Sequence, residues 1–294
     1  MQIKEVTTNE NAQNVVTYYE DTGLDYGKWS REYNMHFGYY RFPMIPLWRE
    51  QMLDAMNRYV IENLKLGDND KTVYDLGCGL AAPCRTFAKM YPEKKVKGIT
   101  IVEWQIEKAK ELNRAKNIDG NIELILGDYT NLPFENNSAD AAYALESACH
   151  CPGDDKAAFV MEMMRVLKPG KNFVIADGFL KRPSAKFYPL LKYCYNEICK
   201  GWALPSFPNV NGVVEQLKLN GAENVTVTDL SFRVAPSVMH APFTVVSFVL
   251  KKMLQGEKLN SVRIGHLKAC FLGLFMGIHR GSFSYLMITG NKKV

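Results

Sequence analysis

The sequence predicts an open α/β sheet, mostly parallel, with helices on both faces. Residues 72–177 alternate short β-branched or aromatic runs with helical stretches, the pattern of strand–helix–strand units. The first run, Val73 to Leu76, ends in the acid Asp75, a glycine turn (Gly77, Cys78, Gly79, Leu80, Ala81) and a helix over Ala82–Met90. This arrangement lays a nucleotide-like ligand across the carboxyl end of the first strand, where glycines bend sharply and admit the ligand close to the backbone. The 294 residues, 47% hydrophobic and 23% charged, have ordinary globular composition and suffice for one large domain.

The elements follow in order. Residues 10–22 and 44–65 read as helices joined by an aromatic-rich segment. A second strand, Lys95–Ile99, ends in Thr100, with Glu103 and Gln105 heading the next helix. A third, Ile122–Leu126, runs into Gly127, Asp128 and Tyr129. The fourth is Ala139–Leu145, and the fifth, Asn172–Asp177, follows a turn over Leu167–Lys171. Residues 184–200 have helical periodicity, Val225–Leu230 is a sixth strand and Ser284–Thr289 a seventh. Apolar helical sequence fills the stretch between those last two, and no internal repeat or low-complexity linker interrupts the sequence.

The net charge of +5 is too mild and scattered for a nucleic-acid partner. Met1–Asn14 is polar, with no apolar signal-peptide core. The longest uninterrupted apolar run, Ala269–Ile278, is well short of the roughly 20 residues of a spanning helix. Seven cysteines in such a protein point to reduced thiols and a cytoplasmic location. Cys149 and Cys151 flank His150, but that spacing suits no zinc site, so no metal is expected. A dinucleotide cofactor is disfavoured by Ala81 in the third glycine's place, by Pro83 at the helix start and by Thr100 where an acid would hold the ribose.

The ordered series over 72–180 resembles the class I S-adenosylmethionine-dependent methyltransferases. The resemblance implies a Rossmann-like seven-stranded sheet, mostly parallel with the last strand antiparallel, and a helical cap over the acceptor end. It divides a single domain, 1–294, into an aromatic lid (1–70), a cofactor core (71–180) and a sheet edge (181–294) with a cap insertion at about 235–280. It implies S-adenosylmethionine as cofactor, with Asp75 facing the methionine ammonium and Gly77 and Gly79 beside it. Thr100 and Gln105 would serve the ribose, Asp128 the adenine amino group with Tyr129 along the ring, and Leu145 the same cleft. Asp140 reads instead as a tie for the start of the fourth strand.

The loop Glu146, Ser147, Ala148, Cys149, His150, Cys151, Pro152 resembles that of the sterol C-methyltransferases that act on the side chain. Tyr26, Gly27, Trp29, His36, Phe37 and Gly38 resemble the aromatic segment of sterol and tocopherol methyltransferases, and Arg233–Pro236 with Val245–Leu254 their C-terminal region. Six residues separate Trp29 from His36, Lys28 and Arg31 thin the acidic cluster, and the insertion Gly256–Ile278 is long for that branch. The resemblance implies C-methylation of an isoprenoid lipid with a sterol-like alkene, Glu146 and His150 as proton-handling groups, and Tyr26, Trp29, His36, Tyr39 and Tyr40 around the acceptor. For any single tyrosine, simple packing of the lid is the plainer account. The alternatives are methylation of an aromatic ring or phenol, with His150 as base, and a silent module that only holds cofactor or lipid. The expected partner is a small hydrophobic molecule; the oligomeric state stays open. The cap, basic at Lys251, Lys252, Lys258, Arg263 and Lys268 around Phe271–Phe275, reads as a substrate lid more simply than as a bilayer contact.

Overall fold

The computed structural model describes residues 10–118, 120–256 and 258–294, so the first nine residues of the expected lid, and of the polar N-terminus, lie outside the described residues. The sheet has seven strands in the order β3-β2-β1-β4-β5-β7-β6. These are β1 (Thr72–Leu76), β2 (Lys95–Thr100), β3 (Ile122–Leu126), β4 (Ala139–Leu145), β5 (Leu167–Leu180), β6 (Ala222–Asp229) and β7 (Phe283–Lys292). The first five pair in parallel, and β7 lies antiparallel between β5 and β6. The strand order reverses between β1 and β4, which opens a crevice at their carboxyl ends where ligands of such sheets bind. Every residue of β4 is buried, as expected of a parallel strand covered on both faces.

Helices α1 (Glu10–Thr22), α2 (Tyr26–Trp29) and α3 (Arg49–Glu62) precede the sheet. Helices α4 (Ala82–Met90), α5 (Glu103–Arg114) and α6 (Ala157–Val166) connect its parallel strands. One face of the sheet packs Phe159, Met163 and Leu217 against β4 and β5, and the other packs Met56, Val60, Phe87 and Val234. A third cluster, including Leu191, Ile198, Phe207 and Met276, lies beneath the cap. Asp140 accepts from the backbone N–H groups of Lys71 and Thr72 and pairs with Lys168 at 2.6 Å, tying β4 to β1.

Three element boundaries differ from expectation. The second helix begins at Arg49, not 44, because Pro43 and Pro46 supply no N–H and bias their predecessors away from helix, leaving Phe42, Leu47 and Trp48 exposed. The expected turn at Leu167–Lys171 lies inside β5. There Leu167 pairs with Ala139, and the register shifts before Asn172 meets Ala141, with Gly170 at a φ of +75° absorbing the irregularity. The expected helix 184–200 is one 3₁₀ turn followed by α7 (Pro189–Gly201), which has proline in its first turn.

After α8 (Val210–Leu219) and β6, the cap consists of α9 (Ser231–Val238), α10 (His240–Leu254) and α11 (Ser261–Ile278). Ser231–Leu254 and Ser261–Ile278, each of mean hydropathy 1.3, are long and apolar enough to cross a membrane by length and composition. A count of uninterrupted apolar residues misses this, because His266 and Lys268 break the run in the second of them. In the fold α11 packs against α7, and the backbones meet where a Cβ on Gly201 would stand 2.4 Å from the Gly265 carbonyl oxygen. Gly201→Ala should therefore force the helices apart and lower stability by about 1–3 kcal/mol. A melting curve checks this; an unchanged melting temperature would mean that the cap does not seat on α7.

Candidate active site

Two adjoining hollows open at the carboxyl ends of the strands. The first is walled by Asp75, Gly77, Gly79, Thr100, Gln105, Asp128, Tyr129 and Leu145, so the structure brings together all eight residues expected to hold the cofactor. Gly77 has a φ of +99° and Gly79 one of +51°, a left-handed region that favours glycine. A Cβ on Gly77 would stand 2.4 Å from the Ser147 Cβ, and one on Gly79 would stand 3.0 Å from the Met35 sulfur. The turn is thus pressed between the loop after β4 and the N-terminal segment.

At the floor of the hollow, burial pushes the Asp75 carboxyl up to about 7, opposed by hydrogen bonds from the Cys84 thiol and the Tyr143 hydroxyl, the latter at 2.9 Å. Thr100 donates to the Gln105 side-chain oxygen at 2.7 Å, so the two act as one neutral pair at the end of β2. Asp128 turns one oxygen back to the N–H and hydroxyl of Thr130. Tyr129 donates to the Ser147 carbonyl at 2.9 Å, linking the ends of β3 and β4.

The second hollow is a mainly apolar cavity of about 730 Å³, roofed by the cap and by residues 18–37. The hollows share Tyr19, Met35, His36, Glu146 and His150 in their walls. Glu146 ends β4 at a φ of +49°, its N–H held by the Ala176 carbonyl at 2.8 Å. Its Oε1 accepts from the Phe37 N–H at 2.7 Å and from the Tyr285 hydroxyl at 2.9 Å. Burial pushes this carboxyl up to about 8, the two hydrogen bonds opposing the shift and neighbouring Asp177 adding to it.

His150 is also enclosed, and burial holds its pKa down to about 4, so the ring is neutral. Its Nδ1 faces the Ala203 carbonyl, which can only accept, so Nδ1 carries the proton and Nε2 accepts from the Tyr19 hydroxyl at 3.0 Å.

Tyr26, Trp29 and His36 line the cavity, as the sequence led us to expect. His36 is bonded through both ring nitrogens, to the Phe37 carbonyl and Asn34, and Trp29 donates to its carbonyl, so the pair also braces the segment. Tyr39 and Tyr40 are not brought to the cavity. Tyr39 stacks on Tyr59 with ring centroids 4.3 Å apart, and the Tyr40 N–H bonds the Arg233 carbonyl, which draws the backbone onto α3 and α9 instead. The sequence reading also missed Asp177, Tyr285, Tyr19 and His266, all on the cavity wall. Asp177 and Tyr285 sit in strands that read as ordinary sheet, and Tyr19 and His266 lie in segments where helical periodicity masked them. Among the described residues no cluster of metal-ligating side chains occurs.

Comparison with known proteins agrees with this geometry. The methyltransferase domain family matches residues 73–170. The cycloartenol-C-24-methyltransferase 1 of Oryza sativa subsp. japonica is 29% identical over 231 residues, covering 78% of this chain and 64% of that protein. The chloroplastic tocopherol O-methyltransferase of Arabidopsis thaliana is 27% identical over 244 residues, covering 78% of this chain and 68% of that one. Residues 73–170 form a class I methyltransferase domain, and the chain is similar to the sterol and tocopherol methyltransferases.

The chain spans about three-fifths of the length of the first curated relatives that it matches. The cyclopropane synthase MmaA2 from Mycobacterium tuberculosis shares its fold, with a TM-score of 0.80 at 15% identity over 98% of this chain and all of that one. The first hollow fits S-adenosylmethionine: the cradle at Gly77 is one that a Cβ would fill, an acid lies beneath it, the neutral Thr100–Gln105 pair follows at the end of β2, and Asp128 with Tyr129 follows β3.

The Glu146 carboxyl, ordinarily near 4.5 and here about 8, sets a pH dependence of stability. Below both values the carboxyl is protonated in the folded and unfolded states alike. As pH rises between them the unfolded state releases the proton while the folded state keeps it, so the folded state loses stability. Glu146→Gln, whose amide oxygen can keep both hydrogen bonds, should melt level with the parent near pH 5 and above it at pH 8. An equal offset at both pH values would mean that the carboxyl is not held protonated.

Proposed function

We propose that this protein methylates a carbon of an isoprenoid lipid, with the alkene of a sterol-like side chain as the leading acceptor. The observation that carries this reading is the place of Glu146, a half-buried carboxyl common to both hollows and joined to the N-terminal segment and to β7. The sterol C-24 methyltransferases among the relatives support it. The size of the cavity, about 730 Å³, lies in the range that holds large small-molecule ligands.

Asp75, Gly77 and Gly79 would hold S-adenosylmethionine, which would supply an electrophilic methyl group. Residues 35–37 and the cap exclude water and fix the acceptor alkene against the opening between the hollows. The alkene π-electrons form the new carbon–carbon bond, the methyl–sulfur bond breaks, and the neighbouring acceptor carbon is left cationic. The rings of Tyr19, Tyr26 and Trp29 offer π faces to that charge, each contributing roughly 0.5–2 kcal/mol. A C–H bond next to the cation then breaks, its electron pair closes the double bond, and Glu146 takes the proton. The positive cofactor beside Glu146 favours the ionised carboxylate that this step requires.

Methylation of a phenol would need a base free to meet an O–H, and the His150 Nε2 is already engaged by Tyr19. That contact argues for the alkene over the phenol.

Incubation with methyl-deuterated S-adenosylmethionine and a lipid extract, read by mass spectrometry, should label a neutral isoprenoid on carbon with all its hydroxyls free. Label on a phenolic oxygen or quinol ring would overturn the reading. Glu146→Gln should lower turnover by roughly 10²–10⁴-fold and leave S-adenosylhomocysteine affinity, measured by calorimetry, nearly unchanged. Turnover within a few fold of the parent would remove Glu146 from the mechanism.

A further inference from the structure

We propose that Asp177 is a catalytic residue, a fixed negative charge set against the cationic centre that forms on the acceptor. The inference rests on the alkene-methylation reading above. Asp177 lies near the end of β5, is 3% exposed, and lines the acceptor cavity without reaching the cofactor hollow. Its position therefore serves the acceptor and not the sulfonium of the cofactor.

Two backbone donors hold the carboxylate in place. Oδ1 accepts from the Gly178 N–H at 2.7 Å and Oδ2 from the Cys149 N–H at 3.0 Å. Backbone N–H groups favour the ionised form without cancelling its charge. Among the described residues no side-chain cation pairs with Asp177. The buried Lys156 is in electrostatic reach, but its Nζ is committed to the carbonyls of Cys149, Cys151 and Ser206. That ammonium clamps the loop whose Cys149 N–H fixes Asp177, so one set of contacts positions the carboxylate and leaves its cavity side open.

The two carboxyls of the cavity also divide their roles. Burial pushes Asp177 up only to about 6, because its N–H donors and Lys156 oppose the shift, while Glu146 rises to about 8. Near neutral pH, with the cofactor site empty, Asp177 carries the charge and Glu146 the proton. Carboxyls driven apart in this way mark separate tasks. A pocket for a neutral lipid has no use for an unpaired buried anion, which weakens the fold. A reaction that creates a cation from a neutral alkene does, because the charge is stabilised only as it develops.

The test compares two probes on the protein loaded with S-adenosylhomocysteine. One is a sterol with a protonated tertiary amine in place of the side-chain alkene; the other is its neutral carbon isostere. The parent protein should bind the ammonium roughly 10- to 100-fold more tightly. Asp177→Asn should lose that preference and still bind the carbon isostere, while Glu146→Gln should keep it. A preference that survives in Asp177→Asn, or vanishes in Glu146→Gln, would overturn the proposal. If Asp177→Asn does not fold, the parent's preference should decline as pH falls from 7.5 to 5. The groups around Asp177 are then Glu146 after β4, Cys149, His150 and Lys156 from the loop, Tyr129 after β3, Tyr19 from α1 and Tyr285 from β7. Burial holds the tyrosines and Cys149 above their ordinary values and His150 down to about 4, and Glu146, at about 8, gains its proton at higher pH than Asp177; a preference flat across the range refutes the proposal. Binding of neither probe by protein that takes up S-adenosylhomocysteine would instead overturn the isoprenoid reading, and this proposal with it.

Discussion

The Glu146 carboxyl is the contact on which the site depends. Three distant parts of the sequence converge on it: β4 by its own backbone, the N-terminal segment through the Phe37 N–H, and β7 through the Tyr285 hydroxyl. Both side-chain bonds reach the same oxygen, Oε1, which leaves Oε2 to carry or receive a proton. The backbone there is left-handed, a conformation that costs a residue with a Cβ about 1 kcal/mol. Strain of this kind persists where surrounding contacts over-determine it, and here they turn an acid away from the strand and into the opening between two hollows.

The same convergence explains how a sheet edge becomes a closed chamber. Parallel strands deliver side chains to one edge but leave it open to water. The N-terminal segment covers the glycine turn, with Met35 against Gly79 and Arg85 of α4 bonded to the Glu32 carbonyl. The C-terminal helices cover the acceptor side, and the two covers meet where the Tyr18 hydroxyl bonds His266 at 2.6 Å and Arg263 pairs with Asp25 at 2.7 Å. Each cover is held partly by the other, so opening one loosens the wall of both hollows.

The cofactor half of this arrangement was legible in the sequence because its residues sit at fixed offsets from strand ends. Asp75, Gly77, Thr100, Asp128 and Leu145 each close a strand or follow one, so finding the strands places them. The acceptor half was legible only where a local motif exists, as at Glu146 and His150. Tyr39 and Tyr40 look equivalent to Tyr26 in the sequence, yet Tyr39 stacks on Tyr59 and Tyr40 is bound to α9. Aromatic composition does not say which side of a covering segment faces inward. His266 and Tyr285 reach the cavity from α11 and β7, far along the sequence from the motifs, and no spacing rule connects them to it. The strand boundaries failed at Gly170 for a similar reason: a glycine that reads as a turn absorbs a register shift within a strand.

The acids at the strand ends follow a common electrostatic logic. Asp75 closes β1, Asp128 follows β3, Glu146 follows β4 and Asp177 lies near the end of β5, so adjacent parallel strands direct carboxyl groups toward one edge. The protein as a whole carries +5, so this negative edge is local and not a property of composition. Concentrating acids in an enclosed site raises their proton affinity, and Asp75, Glu146 and Asp177 are all shifted upward by loss of solvent. On the reading proposed above, one positive charge enters with the cofactor and passes to the acceptor as the methyl group moves, and in either place it reverses that tendency. The site is electrostatically unsatisfied when empty and, on that reading, complementary to a single positive charge at either end of the transfer.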